Sequence, residues 1–218
     1  MRTIRVTGKG QIKVHPDMTR IVITLEGQDM DYGKTLKRSS EDTEQLKDLL
    51  ASFGFERSDL KTLSFRVDTE YENYKVKNDY RRRFAGYRFT HGMKLEFESD
   101  NQRLGKILYA LAHCPLNPEF RLSYTVKDPE AVKNELLGKA VRDAVAKAGV
   151  LSGAAGLKLG EIQNIDYSWG QIDFEYHPMN RNRLMEPGMA DGDCSYDMDI
   201  EPDDIEAEDT VTVVWEIG

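Results

Sequence analysis

The stretch that decides the fold is Thr3-Ile4-Arg5-Val6-Thr7-Gly8-Lys9-Gly10-Gln11-Ile12-Lys13-Val14, answered near the other end by Thr210-Val211-Thr212-Val213-Val214-Trp215-Glu216-Ile217. Both alternate apolar, often β-branched, residues with polar ones, which is the period-two pattern of a half-buried strand. After His15-Pro16-Asp17 the segment Thr19-Arg20-Ile21-Val22-Ile23-Thr24-Leu25-Glu26 repeats it. Two terminal segments of this kind put the first and last strands together in a sheet. The expectation is an α+β fold, mostly antiparallel, in one domain over 1–218 with 1–98 and 99–218 as candidate sub-units.

About three amphipathic helices are expected to pack on the sheets. Residues 31–53 place Leu36, Thr43, Leu46, Leu49, Leu50 and Phe53 near one face, and Gly54 supplies the stop. Ser99 or Asp100 can cap a second helix that runs to His113, where Cys114-Pro115 ends it. Asp128-Pro129-Glu130 opens the longest, with an acid at the cap and proline in the first turn. Its apolar stripe is Val132, Leu136, Ala140, Val141, Ala144, Val145 and Ala148. Residues 60–76 and 82–98 form two long strands joined by a hairpin around Lys77-Asn78-Asp79, and 119–127 and 157–168 form shorter ones. A long loop, 170–208, precedes the last strand, with four methionines and an acidic run. Loops of that length inside a domain are usually functional or disordered.

Apolar residues make up 39% of the chain and charged residues 31%, as in a globular protein, and no apolar run reaches the length of a membrane helix. No apolar segment follows Met1, so a cytoplasmic location is expected. The net charge is −8, concentrated in 191–209. Such a balance opposes general binding to nucleic acid. Two widely spaced cysteines give no disulfide framework; Cys114 reads as a buried thiol.

The motifs that invite chemistry fail on spacing. Gly8-Lys9-Gly10 lacks the GxxxxGK[ST] spacing between strand and helix that a phosphate loop needs, and reads as a bend or bulge. A calcium loop starting at Asp191 needs glycine at its sixth position and glutamate at its twelfth, where Tyr196 and Pro202 stand. The four histidines show no metal-binding spacing. No catalytic residue, cofactor or metal is assigned. The surface singled out is the hairpin, with Tyr74, Tyr80, Arg81, Arg82 and Arg83, set against the acids Asp191, Asp193, Asp197 and Asp199. Opposite charge suggests that these two segments pair, within one subunit or between neighbours.

Three segments together resemble the SIMPL family. They are Val6-Thr7-Gly8-Lys9-Gly10 with Pro16-Asp17; helix 31–53 and Gly54 followed by Gly86-Tyr87-Arg88; and helix 131–148 followed by Gly156-Leu157-Lys158-Leu159-Gly160-Glu161-Ile162 and the strand from Ile200-Glu201-Pro202 to Trp215. The resemblance implies a mixed α+β fold with antiparallel sheets and a homo-oligomer. It transfers no catalytic residue, and many members look exported. The expected function is a non-enzymatic, self-associating interaction module. The alternatives are a small-ligand binder or enzyme with a cleft under 170–208, and a nucleic-acid or anion binder through Arg81–Arg83.

Overall fold

A computed structural model of the chain describes residues 2–76, 79–167, 174–178 and 201–218. The element order is β1 (Thr3–Val14), β2 (Met18–Asp29), α1 (Tyr32–Ala51), β3 (Lys61–Val76), β4 (Asp79–Glu98), α2 (Asn101–His113), β5 (Glu119–Thr125), α3 (Pro129–Ala154), β6 (Leu159–Asp166), β7 (Glu175–Tyr176) and β8 (Ile205–Ile217). These fall into two compact units, neither a continuous half of the chain: Met1–Asp17 with Thr125–Tyr176 and Pro202–Gly218, and Met18–Tyr124 with His177–Glu201.

The first unit joins the termini. Its sheet runs β1-β8-β6, with β1 and β8 antiparallel from Thr3↔Glu216 to Val14↔Ile205 without a register shift. Asp128 caps α3 by accepting from the Ala131 backbone N–H at 2.9 Å, and Pro129 occupies the first turn. Leu136, Ala140, Ala144, Ala148 and Ser152 form the buried line of this helix, one residue every four. The three alanines pack with Val6, Val211, Val213 and Trp215. Alanines at this spacing let the helix backbone sit close to the sheet, and Gly8 and Gly10 complete the fit. A Cβ on Gly8 would stand 2.0 Å from the Ala140 carbonyl oxygen, and one on Gly10 2.2 Å from that of Leu136. The expected bend or bulge at Gly8-Lys9-Gly10 is therefore a regular strand; the glycines serve a close helix–strand approach.

β8 corrects a second boundary. The last strand starts at Ile205, inside the segment expected to be loop. Ile205 and Ala207 turn toward a small core with Val126 and Phe174, while Glu206 and Glu208 face outward. The alternation was there to see, but a run of acids reads as a loop unless a basic strand lies beside it. β1 is that strand. The rest of 170–208, apart from 174–178 and 201–204, lies outside the described residues.

In the second unit the strands run β3-β4-β2-β5. β2 pairs with β4 antiparallel from Met18↔Glu98 to Asp29↔Tyr87. Ile21, Ile23, Leu25, Phe89, Met93, Leu95 and Phe97 are buried on these two strands. The buried line of α1 is Thr35, Ser39, Leu46 and Leu50; Leu36, expected inside, is 37% exposed. Thr35 can hold a core position because a helix carbonyl satisfies it: its hydroxyl donates to the Asp31 carbonyl, as that of the half-buried Thr43 does to the Ser39 carbonyl. Arg103 of α2 donates to the Phe53 carbonyl at 2.8 Å and lies over the rings of Phe55 and Phe97. Cys114 is a buried free thiol.

Candidate interaction surface

The partner strand β2 stops at Asp29, opposite Tyr87, but β3 and β4 continue together to Val76↔Asp79. Beyond Gly86 they form a two-stranded ribbon that, among the described residues, has no third strand paired to it. Such a ribbon is marginal by itself in water. Its turn residues Lys77 and Asn78 lie outside the described residues.

Alternation sorts the ribbon into two faces. One carries Tyr71 opposite Phe84, Asn73 opposite Arg82, and Lys75 opposite Tyr80. The other carries Glu72 opposite Arg83 and Tyr74 opposite Arg81. Aromatic rings run down the first face and onto the unit, edge to face: Tyr71 to Phe84 at 6.3 Å, Phe84 to Tyr87 at 5.3 Å, and Tyr87 to Tyr32 at 5.3 Å. Gly86 makes the junction: at φ +122° it takes a conformation L side chains avoid, and a Cβ there would stand 2.6 Å from the Asp29 carbonyl oxygen.

All five hairpin residues singled out in the sequence are thus on this ribbon, and on its strands rather than its turn. Arg82 lies over the Tyr71 ring at 4.9 Å and Arg83 over Tyr74 at 5.7 Å. Arg83 is also ion-paired with Glu72. Arg81 and Arg82 make no ion pair among the described residues. Tyr80 is 75% exposed. The acids Asp191, Asp193, Asp197 and Asp199 lie outside the described residues.

The described end of the acidic run has other partners. Across the outward face of the first unit's sheet, Lys9 meets Glu208 at 2.6 Å, Lys13 meets Glu206 at 3.4 Å, and His15 meets Asp204 at 3.1 Å. Bonds from Lys9 and Gln11 hold the Glu208 carboxyl below the usual range. β1 is an edge strand here, and the Lys9 backbone N–H is covered by the Asp143 carboxylate of α3 at 2.7 Å. That contact blunts the edge against another strand. A groove of about 480 Å³ lies along this ladder, but the charges on its walls are already paired, Lys13 with Glu206 and Glu208 with Lys9.

His91 is the one buried histidine among the described residues. The Thr43 hydroxyl gives its proton to Ser39, so it accepts from His91 Nδ1–H at 3.1 Å, and Thr62 donates to Nε2 at 2.9 Å. Burial, then the charge of Lys47, pushes the imidazole pKa down. The residue is a neutral core bridge with both ring nitrogens hydrogen-bonded. Among the described residues no group of three His, Cys, Asp or Glu side chains could hold a metal ion, and no helix is long and apolar enough to cross a membrane.

The model of one protein family matches residues 4–215. The chain belongs to the SIMPL family. The family is described as a protein of unknown function (DUF541). Two relatives, each named 26 kDa periplasmic immunogenic protein, come from Brucella melitensis biotype 1 and Brucella abortus (strain S19). Each is 28% identical over 163 residues, which is 74% of this SIMPL chain and 65% of the relative. The chain thus spans just under two thirds of the length of the curated relatives it matches. A solved structure, CutA from Synechococcus elongatus, aligns over 60% of this chain and 95% of its own at 12% identity, with a TM-score of 0.26.

Aromatic and arginine content made the ribbon legible beforehand. Sequence reasoning missed that Tyr32 joins Phe84 and Tyr87 in one ring chain, because only the β4 register and the α1 start bring them together. It also missed Lys9 and Lys13 as partners for the acidic run, although the matched alternation of β1 and β8 was a usable signal.

Proposed function

We propose that this SIMPL protein is a self-associating, non-enzymatic interaction module, and that the β3–β4 ribbon is one of its contact surfaces. The observation that carries the reading is the ribbon itself: a two-stranded arm with exposed Tyr71, Tyr74, Tyr80 and Phe84 and with Arg81 and Arg82 unpaired among the described residues. Tyrosine and arginine are the residue types that dominate interface energetics. An arm that is marginal alone gains stability when a partner covers it. The partner proposed is the acidic segment Asp191–Asp199 of a neighbouring copy, by charge. The ring chain argues against nucleic acid, because edge-to-face rings are engaged with each other rather than presented as platforms for bases.

The names of the Brucella relatives place those proteins in the periplasm and weigh against the cytoplasmic expectation. An envelope setting is the reading they favour, and fractionation of the native host tests it. For the arm, Arg81, Arg82 and Arg83 are replaced together by Ser and mass is followed against salt. Wild-type protein should lose mass as salt rises while the variant stays small throughout. Identical masses for the two proteins at every salt concentration would remove the arm from the assembly.

A further inference from the structure

We infer that the outer edge of β3 pairs with the same edge of a second copy, antiparallel about a two-fold axis at Val67. This rests on the self-association reading above and names a contact for it. β3 ends the strand order of its sheet, so among the described residues no strand lies beside its outer backbone groups. Its pairing with β4 is interrupted between Thr62 and Ser64 and again between Glu70 and Tyr71. The uninterrupted segment is Ser64–Glu70, and Val67 is its midpoint.

That segment is self-complementary. With the axis at Val67, Ser64 faces Glu70 of the second copy, Phe65 faces Thr69, Arg66 faces Asp68, and Val67 faces itself. Every opposed pair lies on one face, as antiparallel pairing requires. Moving the axis by one residue sets Arg66 against Arg66 or Asp68 against Asp68, so charge selects the register. Arg66 and Asp68 meet each other along the strand at 3.3 Å, and both stay well exposed, at 69% and 60%. On the other face, Phe65 and, just beyond the segment, Tyr71 are about half exposed at the strand edge. The second copy brings Thr69 next to Phe65. Native edges are normally blunted by charge; here a second β3 in this register sets an opposite charge across from each member of the Arg66–Asp68 pair, so the edge charges do not oppose it.

The contrast within the molecule supports the choice. The β1 edge has its central N–H capped by Asp143, and the two charged residues of β6, Glu161 and Asp166, are both acids, so two β6 edges repel. β3 has neither obstacle.

The test uses the full chain with Val67→Cys in a Cys194→Ser background, which leaves buried Cys114 as the sole native cysteine. Directly opposed residues of an antiparallel pair have Cα atoms about 4.5–5.5 Å apart, within disulfide range. Mild oxidation should give a reducible covalent dimer. Asn73→Cys in the same background, about 40 Å from its own copy in this register, should not. Charge gives the second arm: Arg66→Asp or Asp68→Arg alone should weaken dimerisation by about tenfold, since each sets like charges opposite twice per dimer. The double swap R66D/D68R should restore it. A wild-type protein that associates, with no V67C cross-link and no effect of either charge variant, overturns this interface and leaves self-association standing. A monomeric wild type overturns both.

Discussion

Gly8 gives the sharpest test of how the first unit is built. In Gly8→Ala the new methyl would stand 2.0 Å from the Ala140 carbonyl oxygen, 2.4 Å from the Ala144 nitrogen and 2.7 Å from the Ala144 Cβ. Ordinary contact begins near 3.4 Å, so α3 must lift by more than an ångström along the line where Ala140, Ala144 and Ala148 meet Val6, Val213 and Trp215. The atoms in the way are helix backbone, and no rotamer change relieves them. Overpacking of this kind costs about 1–3 kcal/mol when side chains can adjust. Here they cannot, so the expected loss is at the top of that range, about 3 kcal/mol, against a gain below about 1 kcal/mol from stiffening the unfolded chain. Urea unfolding followed by circular dichroism measures it. Gly149→Ala is the control: it lies inside α3 with nothing within 4 Å, and should stabilise by up to about 1 kcal/mol. A Gly8→Ala protein as stable as wild type would mean that α3 does not rest on β1, and the account of the first unit would fail.

Three further outcomes are expected. His91 is buried with a depressed pKa, so the unfolded chain binds its proton more readily; stability is complete above the unfolded value of about 6.5 and falls as pH drops below it. Unfolding midpoints at pH 7.5 and 5 should differ less in His91→Asn than in wild type; an equal difference in both excludes His91 as a source of the acid sensitivity. Trp215→Ala empties the first unit's core and should cost about 3–5 kcal/mol by the same unfolding measurement. Arg103→Ala leaves the Phe53 carbonyl without its donor and uncovers two rings, so a loss of about 1–3 kcal/mol is expected, with Arg103→Lys recovering less than half because a lysine cannot both stack and donate as the guanidinium does.

Much of the fold was legible because its determinants are local. Asp100 and Asp128 cap the helices where the chain suggested, and the alternation of β1 to β4 survives in the pairing. What was hidden depends on a neighbour. Gly8 and Gly10 have the look of a bend until an alanine-faced helix lies on them. Glu206 and Glu208 have the look of a loop until Lys13 and Lys9 stand opposite. Thr35 has the look of a surface residue until its bond to the Asp31 carbonyl is counted, and Leu36 lies off the buried line. For the candidate surface, composition found the arginines and tyrosines of the ribbon but not its projection past β2, which follows from where β2 stops.

Self-association is the claim on which the functional account stands. Its most direct test is absolute mass by light scattering of the full chain across protein concentration, at low and high salt. The account predicts a discrete oligomer that holds its mass on dilution at low salt and loses part of it at high salt. A monomer at every concentration and salt would contradict it.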